Sequence, residues 1–162
     1  MDRHDVMYFE SPTEGRLTME QMFGSIMAYI QEEPDVNYQL IIGSDSHTRH
    51  ETYLVTAVVI HRRGKGGRFF FNRSRRRAIK SLRQKVFFET SQSLTVAARL
   101  TELLEQSSLP DLDVEIHIDV GRQGETKELI REIVGMVTGS GYRARIKPES
   151  FGASTVADKF TK

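Results

Sequence analysis

The chain has 162 residues, the length of one ordinary domain, and can bury a core without staples. Hydrophobic residues at 38% and charged residues at 28% exclude collagenous and disordered classes. The absence of cysteine excludes disulfide frameworks, thiolate metal sites and cysteine nucleophiles, while the net charge of +1 decides nothing alone.

In chain order, residues 1–16 read as an irregular arm carrying Ser11-Pro12 and Gly15. Its polar start, Met1-Asp2-Arg3-His4-Asp5, has no apolar stretch behind it, and no apolar run approaches membrane-spanning length. With no cysteine, these features lead us to expect a cytoplasmic protein. Thr18-Met19-Glu20-Gln21 is a capping-box pattern. Met22, Phe23, Ile26, Met27 and Ile30 follow at helical spacing until Pro34, a stripe read as packing. Tyr38–Ser44 and Tyr53–His61 read as strands, with a third starting at Arg68-Phe69-Phe70-Phe71 after a glycine-rich hairpin loop. From about Arg77 to Gln106 the period turns helical. Leu112–Val120 is a strand, Glu125–Thr138 a helix, Tyr142–Ile146 a last strand, and Ser154 to the end a short helix. The order, a helix followed by β-β-β-α-β-α-β-α, predicts an α/β fold with a mixed five-stranded sheet and helices on both faces, one domain over 17–162.

The charge is unevenly placed. From Arg62 to Lys85 there are eleven basic residues and no acid, leaving 12 basic against 22 acidic residues elsewhere. Such a run is either a solvated face or a surface for a polyphosphate; an uninterrupted single-sign run repels itself, which favours an anionic partner such as RNA or DNA. Arg68, Arg73, Arg75, Arg76, Arg77, Lys80 and Arg83 are the candidate contacts. Phe69–Phe71 beside them could stack bases or face the core.

Four acids stand out. Asp45 ends the first predicted strand, as a turn starter or a site residue. Glu89 falls in the stripe Leu82, Val86, Ser93, Ala97, Leu100 and Leu104, so its carboxylate points at the sheet and needs a cation or hydrogen-bond partners. Asp119 runs into Gly121-Arg122-Gln123-Gly124, a strand end before a helix N-terminus, the usual place for a site in an open α/β sheet. Asp158 lies one turn into the terminal helix, where acids are also favoured by the dipole alone. His47 could share a face with Asp45 or be a surface histidine, and His117 reads as a satisfied core histidine.

With this element order, and with Asp45, Glu89, Asp119 and Asp158 on its first strand, first helix, fourth strand and last helix, the chain resembles the ribonuclease H fold from about residue 38 onward. More narrowly, Ile42-Gly43-Ser44-Asp45-Ser46, Ile118-Asp119-Val120-Gly121 and Val156-Ala157-Asp158-Lys159 resemble the YkuK family of bacterial ribonuclease H-related proteins. The helix before the first strand is an addition to the minimal fold. The product-release histidine of many such enzymes has no counterpart between Lys147 and Asp158, so that role is absent or falls to another residue such as Lys159. The resemblance implies a nuclease using two Mg²⁺ or Mn²⁺ ions: Asp45 bridging both, Asp119 and Glu89 on one, Asp158 on the water-activating ion. The alternative is a catalytically silent module of the same fold that binds nucleic acid. A third reading is a protein-interaction domain whose basic segment docks on an acidic partner. No serine-nucleophile elbow or phosphate-binding P-loop is present.

Overall fold

In a computed structural model that describes residues 6–107, 112–120 and 127–146, the chain forms β1 (Tyr8–Ser11), β2 (Gly15–Thr18), α1 (Met19–Glu32), β3 (Tyr38–Thr48), β4 (Glu51–Arg62), β5 (Gly67–Arg77), α2 (Leu82–Glu105), β6 (Asp113–His117), α3 (Lys127–Gly139) and β7 (Arg143–Arg145). The strands make one sheet in the order β2-β1-β5-β4-β3-β6-β7. β3, β4 and β5 pair antiparallel as a meander, while β6 joins β3 and β7 joins β6 in parallel, each after a helical crossover. The mixed α/β architecture is therefore as the element order predicts.

Alternation along these strands separates two faces. Leu40, Ile42, Val58, Ile60, Phe70 and Ile116 face the helices and join one buried cluster with Met22 and Ile26 of α1, Val96 and Leu100 of α2, and Ile133 and Val137 of α3. Ile41, Val55, Ala57 and Phe71 form a second buried cluster on the opposite face. The three described helices pack on the first face. The predicted terminal helix from Ser154 lies outside the described residues, and with it the expectation of helices on both faces.

Thr18 caps α1 as its spacing predicts: its hydroxyl accepts from the Gln21 amide at 3.1 Å and the Gln21 side chain accepts from the Thr18 amide at 2.9 Å. The far end of α1 is tied to the sheet by Arg62. Its guanidinium lies 3.9 Å over the Tyr29 ring, donates to the Tyr29 carbonyl at 2.8 Å and meets Glu33 at 3.0 Å. The first member of the basic run thus holds a helix in place.

Four expectations need correction. The sheet has seven strands rather than five, because the stretch expected to be an irregular arm contains the β1–β2 hairpin. Phe9 is fully buried while Tyr8 and Glu10 face outward. The Ser11 hydroxyl accepts from the Thr13 and Glu14 amides, and Gly15 takes a positive φ of 76° to close the turn. β5 runs on to Arg77, so the cluster Arg73–Arg77 is strand and α2 starts only at Leu82, capped by Ser81. β3 likewise continues to Thr48, so Asp45 lies within a strand rather than at its end. Leu82, assigned to the buried stripe, is exposed. Among the described residues no helix is long and apolar enough to cross a membrane.

If the hairpin is an integral part of the core, Phe9→Ala lowers unfolding stability by about 3–5 kcal/mol in a urea titration. A loosely attached arm would leave stability within about 0.5 kcal/mol of the parent.

Candidate functional site

The upper half of the sheet is polar where the lower half is apolar. Ser44, Ser46, Thr52 and Thr56 are all buried, and α2 places Glu89, Thr90 and Ser93 against them. A buried hydroxyl is stable only with a partner, and here they partner one another. Ser44 bonds Thr56 of β4 at 2.8 Å and Ser93 of α2 at 2.7 Å. The Thr52 hydroxyl accepts from the Ile79 amide at 2.8 Å and bonds Thr48 at 2.8 Å. This seam fixes the first turns of α2 over the carboxyl-terminal half of β3.

Glu89 is the charged group at its centre, with only 5% of its surface exposed. Its Oε2 accepts from the Ser46 amide at 2.8 Å and the Ser46 hydroxyl at 2.5 Å, and Lys85 approaches to 3.7 Å. Burial nonetheless pushes its pKa up to about 7; the Ser46 hydroxyl and Lys85 oppose the rise, and the neighbouring Asp45 charge adds to it. Ser46 was not singled out from the sequence. The available signal was its parity with Ser44, which puts both hydroxyls on the helix-facing side of β3.

The predicted acids are distributed as follows. Glu89 and Asp119 line one crevice too tight to admit a water molecule, together with Ser44, Thr90, Ser93, His117 and Ile118. Asp45 is buried, alternates with Ser44 and Ser46, and projects on the sheet's other face in register with Val55 of β4. It stands near enough to Glu89 to oppose its ionisation. Asp119 lies just beyond β6, half-buried. Asp158 and Lys159 lie outside the described residues. Among the described residues, no three acidic or histidine side chains group closely enough to cage a metal ion. His47 is on β3, on Asp45's face and paired with Tyr53, rather than in a surface loop. His117 is a buried histidine as its sequence position implies, 3.0 Å from Glu115.

The strand conformation of β5 sorts the basic run by face. Arg73, Arg75 and Arg77 sit opposite Val55, Tyr53 and Glu51, on Asp45's face. Arg73 occupies the same row as Asp45, two strands away. Arg76 falls on the helix side, 4.6 Å over Phe88, and Arg83 pairs with Glu132 at 2.7 Å. Lys80 is exposed in the link to α2. Arg68 is at the opposite end of β5, 5.1 Å from the Tyr29 ring. Of the three phenylalanines, Phe70 and Phe71 are buried, on opposite faces, and Phe69 is half-buried against the second cluster, so all three serve packing.

A family described as Ribonuclease H-like matches residues 21–162. The chain is also 36% identical over 170 aligned positions to the uncharacterized protein YkuK of Bacillus subtilis, covering 98% of this chain and 99% of that one. No solved structure is a significant match.

The raised pKa of Glu89 fixes a pH dependence. The unfolded chain loses this proton near the ordinary value of 4.5, whereas the folded one keeps it to about 7, so stability falls as pH rises through that window. In chelator, Glu89→Gln removes that fall and is more stable than the parent at pH 8 by about 2–3 kcal/mol in thermal unfolding. A pH profile identical to the parent's contradicts the buried-carboxylate assignment.

Proposed function

The chain belongs to the ribonuclease H-like family, and from that premise we propose that it is a metal-dependent nuclease cleaving phosphodiester bonds of RNA or DNA. The observation that carries the reading is the burial of Glu89, with Asp45 on the opposite face of β3 near enough to oppose its ionisation. A deeply desolvated Glu89, whose ionisation the buried Asp45 further opposes, destabilises a fold unless something cationic compensates it. Lys85, at 3.7 Å from Glu89, does not bring its pKa back to the ordinary value.

The donors fit a hard divalent cation. Asp45, Glu89 and Asp119 offer only oxygen, and no cysteine exists to draw a softer metal. Mg²⁺ or Mn²⁺ held there needs few protein ligands, since such ions keep several waters and take a substrate phosphate. Asp45, Glu89, Asp119 and Asp158 are the residues that would hold it. When bound, the metal would activate the attacking water and neutralise charge on the phosphoryl group and leaving oxygen.

The chain's own residues do the rest. Ser46 orients the Glu89 carboxylate through two hydrogen bonds, and the Ser44–Ser93 contact holds α2 at the distance this requires. Arg73, Arg75 and Arg77 form a cationic row on Asp45's face, spaced at every second residue, suited to following a phosphate backbone. That Glu89 is already satisfied by Ser46, with no third acid grouped beside it among the described residues, favours as second reading a member of the family that binds nucleic acid without cutting it.

Both readings are tested with labelled RNA, DNA and hybrid oligonucleotides. Asp45→Asn and Glu89→Gln should each lower Mn²⁺-dependent cleavage by about a hundredfold or more, the effect of losing several kcal/mol of charge stabilisation, with binding retained. Replacing Arg73, Arg75 and Arg77 together by alanine should flatten the salt dependence of binding by roughly two to three units on duplex DNA, and Arg68→Ala should not. Salt-dependent binding with no cleavage in any divalent metal supports the silent module; no salt-dependent binding overturns both.

A further inference from the structure

The β1–β2 hairpin adds more than an edge to the sheet. Together with β5 it encloses a polar cleft of about 280 Å³, lined by Val6, Tyr8, Glu10, Arg16, Asn72 and Arg73. Tyr8 is 42% exposed, and the Arg16 guanidinium lies over its ring, 3.9 Å from the centroid. The Asn72 amide donates to the Tyr8 carbonyl at 2.9 Å, which fixes the hairpin to β5 and the cleft with it.

The register shows which face the cleft opens on. Glu10 pairs with Phe71 of β5, Phe71 with Ala57 of β4, and Ala57 with Gly43 of β3. Glu10 therefore lies on the face of Gly43 and Asp45, and so does Arg16, its partner across the hairpin. Arg73 belongs both to the cleft and to Asp45's own row, with two strand spacings, roughly 10 Å, between their backbones.

We infer that this cleft is a subsite for one unpaired nucleotide of a bound strand, with the base stacked on Tyr8 and its phosphate on Arg73. The inference rests on the nucleic-acid reading given above and narrows its substrate to strands with unpaired bases. The chemistry of the lining carries it. An exposed aromatic backed by a guanidinium is a stacking platform, and every base has a π-face to offer it. Two arginines supply phosphate donors. The Glu10 carboxylate repels a phosphate, but it can accept from the exocyclic amino group of a base, which orients the base edge toward Glu10 and the phosphate toward Arg73. The volume is below the roughly 300 Å³ at which ordinary ligand pockets begin, room for a base but not for a helix. A base within a blunt duplex has its faces covered by its neighbours and cannot stack on Tyr8.

The test compares two labelled oligonucleotides in chelator, a blunt duplex and the same duplex with a single-stranded overhang. The parent should bind the overhang more tightly. Tyr8→Ala should weaken overhang binding by roughly tenfold, the effect of one lost base stack, and leave the blunt duplex unchanged, whereas Tyr8→Phe keeps parental binding. Because the chain has no tryptophan, Tyr8→Trp introduces a unique fluorophore, and its emission should be quenched by the overhang and not by the blunt duplex. Equal losses on both oligonucleotides, or an unquenched indole in a chain that still binds, overturns the cleft alone. A parent that retains neither oligonucleotide overturns the nucleic-acid reading and the cleft with it.

Discussion

Glu89 is a carboxylate taken out of water and held against a strand by Ser46, and the upper half of the molecule is arranged around that contact. A desolvated acid is expensive, and the hydroxyls of Ser44, Thr56 and Ser93 form the polar bed that makes the position tolerable. The same bed sets the register of α2 on β3, since a slip of one residue would turn Glu89 and Ser93 away from their partners. Below the seam the helix packs through Val96, Ala97 and Leu100 as any amphipathic helix does. One helix is therefore apolar in its packing at one end and polar at the other.

Strand alternation then divides the labour between the two faces of the sheet. Ser44 and Ser46 face α2, and Asp45 between them faces the other side. Arg73, Arg75 and Arg77 emerge on Asp45's side, while Arg76 and Arg83 stay with the helices against Phe88, Phe87 and Glu132. A run that is continuous in sequence becomes in space a cationic row on one face and a set of structural contacts on the other. Arg62 and Lys65 are spent on Glu33 at the end of α1, far down the sheet from the acids.

The fold was legible where periodicity was long. β4 is one long β-branched run, α2 sustains one helical period, and Glu89 was visible as an acid inside its apolar stripe. The β1–β2 hairpin was not, because four-residue strands around Ser-Pro-Thr-Glu carry too short a pattern, and the burial of Phe9 depends on distant α1 and sheet residues. The extension of β5 through Arg73–Arg77 was hidden for a different reason. Its residues have no strand preference, and pairing with Glu51–Val55 overrides it. The acids stood out by their positions on elements and Ser46 by its parity with Ser44, whereas the Tyr8–Arg16 contact is one that no spacing announces.

The most direct measurement is the crystal structure at neutral pH after soaking in manganese, read through its anomalous scattering. A peak within bonding distance of the Asp45 and Glu89 carboxylates, with Glu89 drawn from Ser46 toward the ion, is the expected result. Carboxylates that keep their protein partners in saturating manganese, with no anomalous signal between them, would contradict a metal-dependent site in this chain.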